Sequence, residues 1–313
     1  MDIFLSILSN NIVPIFIIIC LGYGLNKSFD LDIDTLSKLN FYLYVPSFTF
    51  YNLYRTQISM ELINVLLFGI AMFVINFIIG FIVTKIARLD KGMTAAMQNS
   101  LMFYNSGNIG IPLITLVFSD TPYLELALAC QVMILVVQNL TTNTVGFINA
   151  GRATVSIREA VVRVLKMPTI YVIPLVFLLK ALPLDLTNTF LWPTLTYIQN
   201  GLISIALFSL GVQLSKSKLS VKSPMVYVAV IFRLLGGPAI AALLIYIFKF
   251  EGVIAQAVFI SSSVPTALNT ALIAVECKNK EDFAAQVVML STILSAITMT
   301  GVIYMSRILF PIQ

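Results

Sequence analysis

Eight residues, Asn105-Ser-Gly-Asn-Ile-Gly-Ile-Pro112, set two amides, two glycines and a proline inside a largely apolar run. Pro112 removes one backbone donor, and its ring opposes the carbonyl of Asn108 four residues earlier. Gly107 and Gly110 let the backbone leave the helix or let another backbone approach. Asn105 and Asn108, with the hydroxyl of Ser106, supply donors and acceptors beside the freed groups. The half-helix that follows turns its first N–H groups into the break, a setting that favours an anion. The chemistry on offer is recognition of an anion by neutral donors. The plainer alternative is a proline kink packed among helices, with Asn as interhelical glue.

A second such stretch is Ser261-Ser-Ser-Val-Pro-Thr-Ala-Leu-Asn269. Pro265 should open its helix, Ser261 to Ser263 and Thr266 offer hydroxyls, and Asn269 offers an amide. Serine and threonine commonly bond back to their own helix, so part of this set serves only local needs. Elsewhere, Gln131, Gln138 and Thr142 recur at helical spacing and share one face, beside Asn139, Thr141, Asn143 and Thr144. That stripe serves either a substrate or helix–helix hydrogen bonds; Gln138 and Asn139 lie nearest mid-span. Arg233 is the one charge deep in an apolar window. It lies nine positions after Pro224, roughly 14 Å along a helix and near the middle of a ~30 Å hydrocarbon core. An arginine there needs a partner: it receives a substrate carboxylate, or it bonds backbone carbonyls and braces a broken helix.

These residues must be held by membrane-spanning helices. Hydrophobic residues make up 59% of the 313 and charged residues 11%, against roughly 45–50% and about 25% in soluble domains. Windows at 3–25, 36–56, 61–88, 92–118, 121–148, 167–182, 190–214, 223–248, 252–276 and 282–310 read as ten spans. The first is expected to be a span rather than a removable signal peptide, because Asp2 stands where a basic n-region would. Fourteen loop cations fall on one side: Lys27, Lys38, Lys85, Arg88, Lys91, Arg152, Arg158, Arg163, Lys166, Lys216, Lys218, Lys222, Lys278 and Lys280. The other side holds Arg55, Lys180, Lys249 and Arg307. By the positive-inside rule both termini face outward. This distribution accounts for the net charge of +5 without nucleic acid.

The two halves repeat at an offset of 160: Pro14 matches Pro174, Asn40 matches Asn200, and Gly92 matches Gly252. Five spans per half is an odd number, so the halves, 1–150 and 151–313, run in opposite directions through the membrane. Matching breaks in spans 4 and 9 of an inverted repeat point to a transporter's binding site. Other chemistries are excluded or disfavoured. The chain has no His, and Cys20, Cys130 and Cys277 show no metal or disulfide spacing. All 14 acidic residues lie in loops or at span ends, nearest the core at Glu125 and Glu276, which disfavours a proton pump. An intramembrane enzyme would lack a base or nucleophile. No cofactor is required. Sodium held by carbonyls, hydroxyls and amides is compatible with the sequence, and nothing demands it.

Asn105 to Pro112 resembles the fourth-span motif of the auxin efflux carrier family, which includes plant PIN carriers and bacterial malate or malonate permeases. Val264-Pro-Thr-Ala-Leu-Asn269 is similar to that family's ninth-span crossover. The resemblance implies the fold of bile-acid:sodium symporters: spans 1, 2, 6 and 7 as scaffold, spans 3–5 and 8–10 as a moving transport domain. Spans 4 and 9 would cross at Pro112 and Pro265, with elevator-type alternating access. Asn105 and Asn139 would contact an anionic substrate, and Gln138 matches a similar glutamine in the plant carriers. Only a short connector, 151–166, stands where the plant proteins have a long loop, which points to a compact prokaryotic permease in the plasma membrane. A small organic anion is the expected partner, beside the bilayer; a homodimer is compatible with the sequence. The rivals are a sodium-coupled symporter and, from another class, a channel or sensor.

Overall fold

The computed structural model describes residues 2–57, 59–151, 155–183, 185–217 and 223–312. Arg152, Lys218 and Lys222, three of the loop cations named above, lie outside the described residues. The described residues are helical throughout, apart from short links and one isolated β-bridge. In chain order the helices are α1 Ile3–Phe29, α2 33–55, α3 Met60–Ile86, α4 Lys91–Met102, α5 Ser106–Phe118 and α6 Leu124–Ala150. There follow α7 Ile157–Leu165, α8 Thr169–Lys180, α9 Leu191–Lys216, α10 Pro224–Phe248, α11 Gly252–Ser262, α12 Leu268–Glu276 and α13 Glu281–Leu309. Six of them (α1, α3, α6, α9, α10 and α13) are long and apolar enough to cross a bilayer.

The other windows depart from plain spans for local reasons. Helix α2 is continuous but carries buried Asn40, Thr49 and Asn52. The windows 92–118 and 252–276 are each split, into α4 with α5 and α11 with α12. The sixth window gives only the 12 residues of α8. Its connector is not a plain link, because α7 forms there, bent by 50° from α8. Ser156 and Glu159 start α7 as a reciprocal capping box, which satisfies two orphan donors at the helix start.

Proline acts here by widening helices more often than by ending them. Wide π turns at Leu8–Ile12, Asn40–Tyr44, Ser106–Gly110 and Phe232–Gly236 are each followed two residues on by Pro14, Pro46, Pro112 or Pro238. A proline ring cannot sit against the carbonyl four residues back, so the turn takes in one more residue. A fifth wide turn, Thr142–Gly146, has no proline. There Asn143 Nδ2 and Thr144 Oγ1 donate to the carbonyls of Asn139 (2.9 Å) and Leu140 (2.7 Å), competing with main-chain donors.

Two packed groups result. In one, α1 lies along α9, while α2 packs on α8 and α9. In the other, α3, α5 and α11 pack on α6, α10 on α11, and α12 on α13. Lipid gives helices no hydrophobic drive to associate, so close backbone approach at small residues has to supply it. The α1–α9 contact is of this kind. A Cβ on Gly22 would stand 2.2 Å from the Phe208 carbonyl oxygen, and one on Gly211 would stand 2.0 Å from that of Ile19. Replacing Gly211 by Leu should therefore prise α9 from α1 and cost at least the roughly 1–3 kcal/mol of an overpacked core. Thermal unfolding with size-exclusion chromatography reads this, and an unchanged midpoint would contradict the packing.

Candidate functional site

The two split spans meet at their breaks. Phe103 and Ala267 are extended (φ −109°, ψ 127° and φ −63°, ψ 134°), and Tyr104 pairs with Thr266 in an antiparallel bridge. The Asn105 N–H donates to the Pro265 carbonyl at 2.8 Å, and the Ala267 N–H to the Phe103 carbonyl at 3.0 Å. Each break thus supplies partners for groups the other has freed, as burial in lipid demands. Crossing at Pro112, expected from the resemblance, is corrected: the chains cross at Tyr104 and Thr266. Pro112 lies within α5, eight positions past Tyr104, or roughly 12 Å of helix; it widens the first turn and does not make the break. Pro265 does sit at the crossing, although α12 begins only at Leu268.

Several further groups at the breaks are also paired. Thr266 Oγ1 donates to the Ser100 carbonyl at 3.1 Å, and its N–H donates to Ser291 Oγ. Ser262 and Ser263 bond back to Phe259 and Ile260, both at 2.6 Å, the local use expected of part of that hydroxyl set. Arg233, 1% exposed, donates to the carbonyls of Leu101 (3.4 Å) and Ser262 (2.5 Å). Its guanidinium carbon lies 4.8 Å from the centre of the Tyr104 ring. Both bonds run to main-chain carbonyls, the geometry of the bracing alternative.

On the opposite side of the bridge a small cavity, about 30 Å³, is lined by Asn105, Ser106, Gly107, Asn108, Gln138, Asn139 and Asn269. Seven of the twelve residues singled out in the sequence meet there. Gly110, Pro112, Pro265, Thr266 and Arg233 do not line it. The first turns of α5 and α12 both border this cavity through Ser106 to Asn108 and Leu268 to Asn269, and first-turn N–H groups have no partner within their own helix. Asn105 Oδ1 accepts from the Asn108 N–H at 3.3 Å, and Gln138 Oε1 accepts from the Tyr104 N–H at 3.2 Å. These bonds orient both amides. The NH2 groups of Asn105 and Gln138, in side chains only 4% and 3% exposed, are left without a partner. Buried, oriented and unpaired donors are costly, and an anionic guest would satisfy them.

Two other cavities are lined from both packed groups. A space of about 260 Å³ includes Phe41, Arg163, Lys166 and Asn269 in its lining and so adjoins the small cavity. Another, about 250 Å³, lies between Tyr51, Asn52 and Asn200 on one side and Thr115, Glu125 and Leu128 on the other. Thr142, from the polar stripe of α6, also lines the small cavity; sequence reasoning missed Asn40, whose Nδ2 donates to Asn108 Oδ1 at 3.0 Å, and Tyr104 and Leu268, which line it too. An asparagine six residues before Pro46 in an apolar window was the one local signal for Asn40.

A helical membrane chain whose paired breaks border an amide-lined cavity fits a multi-pass membrane transporter. Residues 7–163 and 154–303 match the membrane transport protein family, of the auxin efflux carrier type, and the chain belongs to that family. It is also similar to an uncharacterized transporter of Methanothermobacter thermautotrophicus, 23% identical over 299 residues that cover 93% of this chain and 96% of the relative. Family and relative are transporters, not enzymes; a small-molecule substrate and a bilayer come with that membership.

Gln131 tests the geometry of the first α5 turn. Its Nε2 donates to the Ser106 carbonyl at 2.7 Å, and a Cβ on Gly110 would stand 2.4 Å from that nitrogen. Gly110→Ala should dislodge the amide and cost about 1–3 kcal/mol, the price of an orphaned buried group. Thermal unfolding of a double-mutant cycle should find Gln131→Ala adding little in the Gly110→Ala background. Fully additive losses would contradict the contact.

Proposed function

We propose that this protein is a secondary transporter of small organic anions, short carboxylates above all, binding them between Asn105, Gln138, Asn139 and Asn269. One observation carries the reading: two buried NH2 groups without partners, those of Asn105 and Gln138, border a cavity on which two helix N-termini converge. Each N-terminus contributes roughly half a positive charge, so together they offset about one carboxylate without a cationic side chain. A cavity of 30 Å³ holds about two waters. It must widen toward the adjoining space to admit an organic anion.

The proposed architecture is ten spans in two inverted five-helix repeats. Helices α1, α2, α8 and α9 would form the scaffold; α3–α6 and α10–α13 would form the moving domain. The antiparallel bridge supports this, since it is locally twofold and relates residues 104 and 266, 162 apart and close to the offset of the sequence repeat. The two packed groups support it as well, with two cavities each lined from both groups. In this reading the space near Arg163 and Lys166 faces the cytoplasm, both termini face outward, and the protein resides in the cell membrane. Movement of one group against the other would expose the site alternately, as an elevator. The site is built within one chain and needs no homodimer. A sodium-coupled symporter is the second reading; a channel would conduct without saturation or counter-exchange.

Purified protein in liposomes should take up a short dicarboxylate saturably and exchange it faster against internal dicarboxylate. Asn105→Ala should lower that uptake roughly tenfold or more, the cost of one hydrogen bond to a charged group, about 1.5–3 kcal/mol. Unchanged uptake by a well-expressed variant would remove Asn105 from the site. Cross-linking tests the motion. Arg55 at the end of α2 forms an ion pair with Glu125 at the start of α6, across the proposed moving interface. In a background without Cys20, Cys130 and Cys277, cysteines at 55 and 125 oxidised to a disulfide by copper phenanthroline should halt uptake, and reduction to the free thiols should restore it. Full activity of the cross-linked protein would contradict the elevator.

A further inference from the structure

We infer that the Arg233 guanidinium is a tethered cation that neutralises the second pole of the crossing, and that removing it opens a site for a free cation. The geometry has four parts. First, α4 and α11 end at Met102 and Ser262, so both C-termini converge opposite the anion cavity. A helix C-terminus carries roughly half a negative charge; the pair amounts to about one, matched by one guanidinium. Second, the two Arg233 donors reach a carbonyl of each helix, Leu101 and Ser262, and so tie the two half-helices together. Third, the Tyr104 ring covers the guanidinium at 4.8 Å, placing this charge against the bridge residue itself. Fourth, the space is made by Gly237. A Cβ there would stand 2.0 Å from Arg233 Nη2 and 2.8 Å from the Ser262 carbonyl oxygen.

No ion pair involves Arg233 among the described residues. All its hydrogen bonds run to carbonyl oxygens, the ligands that hard monovalent cations also take. Carbonyls converging from two helix ends would otherwise bind a cation from solution or repel each other. A covalently held guanidinium fills that place permanently, so the two breaks stay paired whatever the ionic composition outside. Arg233 is thus a positioning residue: it acts on the substrate through the bridge and never touches the guest. Its consequence for transport rests on reading the opposite cavity as the anion site, whereas its effect on the crossing does not.

The test is thermal unfolding of the purified protein in choline chloride, sodium chloride and guanidinium chloride at equal millimolar concentration. Wild type should unfold at one temperature in all three. Arg233→Ala should lose several degrees in choline and regain a good part of it in guanidinium or sodium. Arg233→Lys, which keeps the charge and loses the fork, should fall between and gain nothing from added cations. If Arg233→Ala does not fold, a cycle decides instead: Gly237→Ala should lower the midpoint clearly more in the wild type than in Arg233→Lys, where the guanidinium clash is gone and only the Ser262 carbonyl still opposes the new methyl. A loss in Arg233→Ala that no cation restores, wild-type stability that rises with sodium, or additive effects in the cycle would each overturn the inference. Absence of dicarboxylate uptake by wild type would instead count against the transport reading and leave these stability results to stand alone.

Discussion

Two main-chain hydrogen bonds, Asn105 N–H to Pro265 and Ala267 N–H to Phe103, are the constraint from which the rest follows. A chain interrupted inside lipid has no water to satisfy its freed groups, and each would cost several kcal/mol. A single break in one helix would have to find side chains for all of them. Two breaks that cross can instead complete each other, as one rung of antiparallel sheet in an otherwise helical protein. The rung sets four helix ends in fixed places, the two C-termini on one side and the two N-termini on the other. Charge separation across the crossing is then a property of the backbone, and side chains only finish it: Arg233 at the negative pole, Asn105 and Gln138 at the positive one.

The neutral chemistry of the positive pole follows from this arrangement. In the proposed reading the helix N-termini already favour an anion, so the site needs no lysine or arginine of its own. Amides give direction without adding net charge, and their oxygens are already engaged by the Asn108 and Tyr104 N–H groups, which leaves the NH2 groups unpaired. The cationic Arg163 and Lys166 stand off in the adjoining space. Arg163 is itself engaged, with Glu276 at 2.6 Å and Asn143 at 3.0 Å. Membership of the membrane transport protein family fits a site built for passage rather than for catalysis.

What could be read from the sequence was what local chemistry encodes. Apolar windows gave the helices, the Asn-Ser-Gly-Asn and Ser-Ser-Ser-Val-Pro stretches stand beside the two breaks, and the first of them supplies four residues of the cavity lining. Pro112 misled about where α4 stops, because a proline next to glycines reads as a break although here it only widens a turn. The real unwinding, Phe103 to Asn105, holds neither Gly nor Pro; its cause is a partner strand 162 residues away, which no local pattern encodes. Asn40 and Gly237 escaped notice for the same reason. Their value lies in what another helix brings against them, Asn108 in one case and the Arg233 guanidinium in the other.

The most direct measurement of the central claim is an electron cryo-microscopy map of the purified protein saturated with a short dicarboxylate. It should show residues 103–105 and 265–267 side by side as extended chain, with ligand density against the NH2 groups of Asn105 and Gln138 and the first turn of α12. Unbroken helices through both stretches, or density bound elsewhere while this cavity stays closed, would contradict the account.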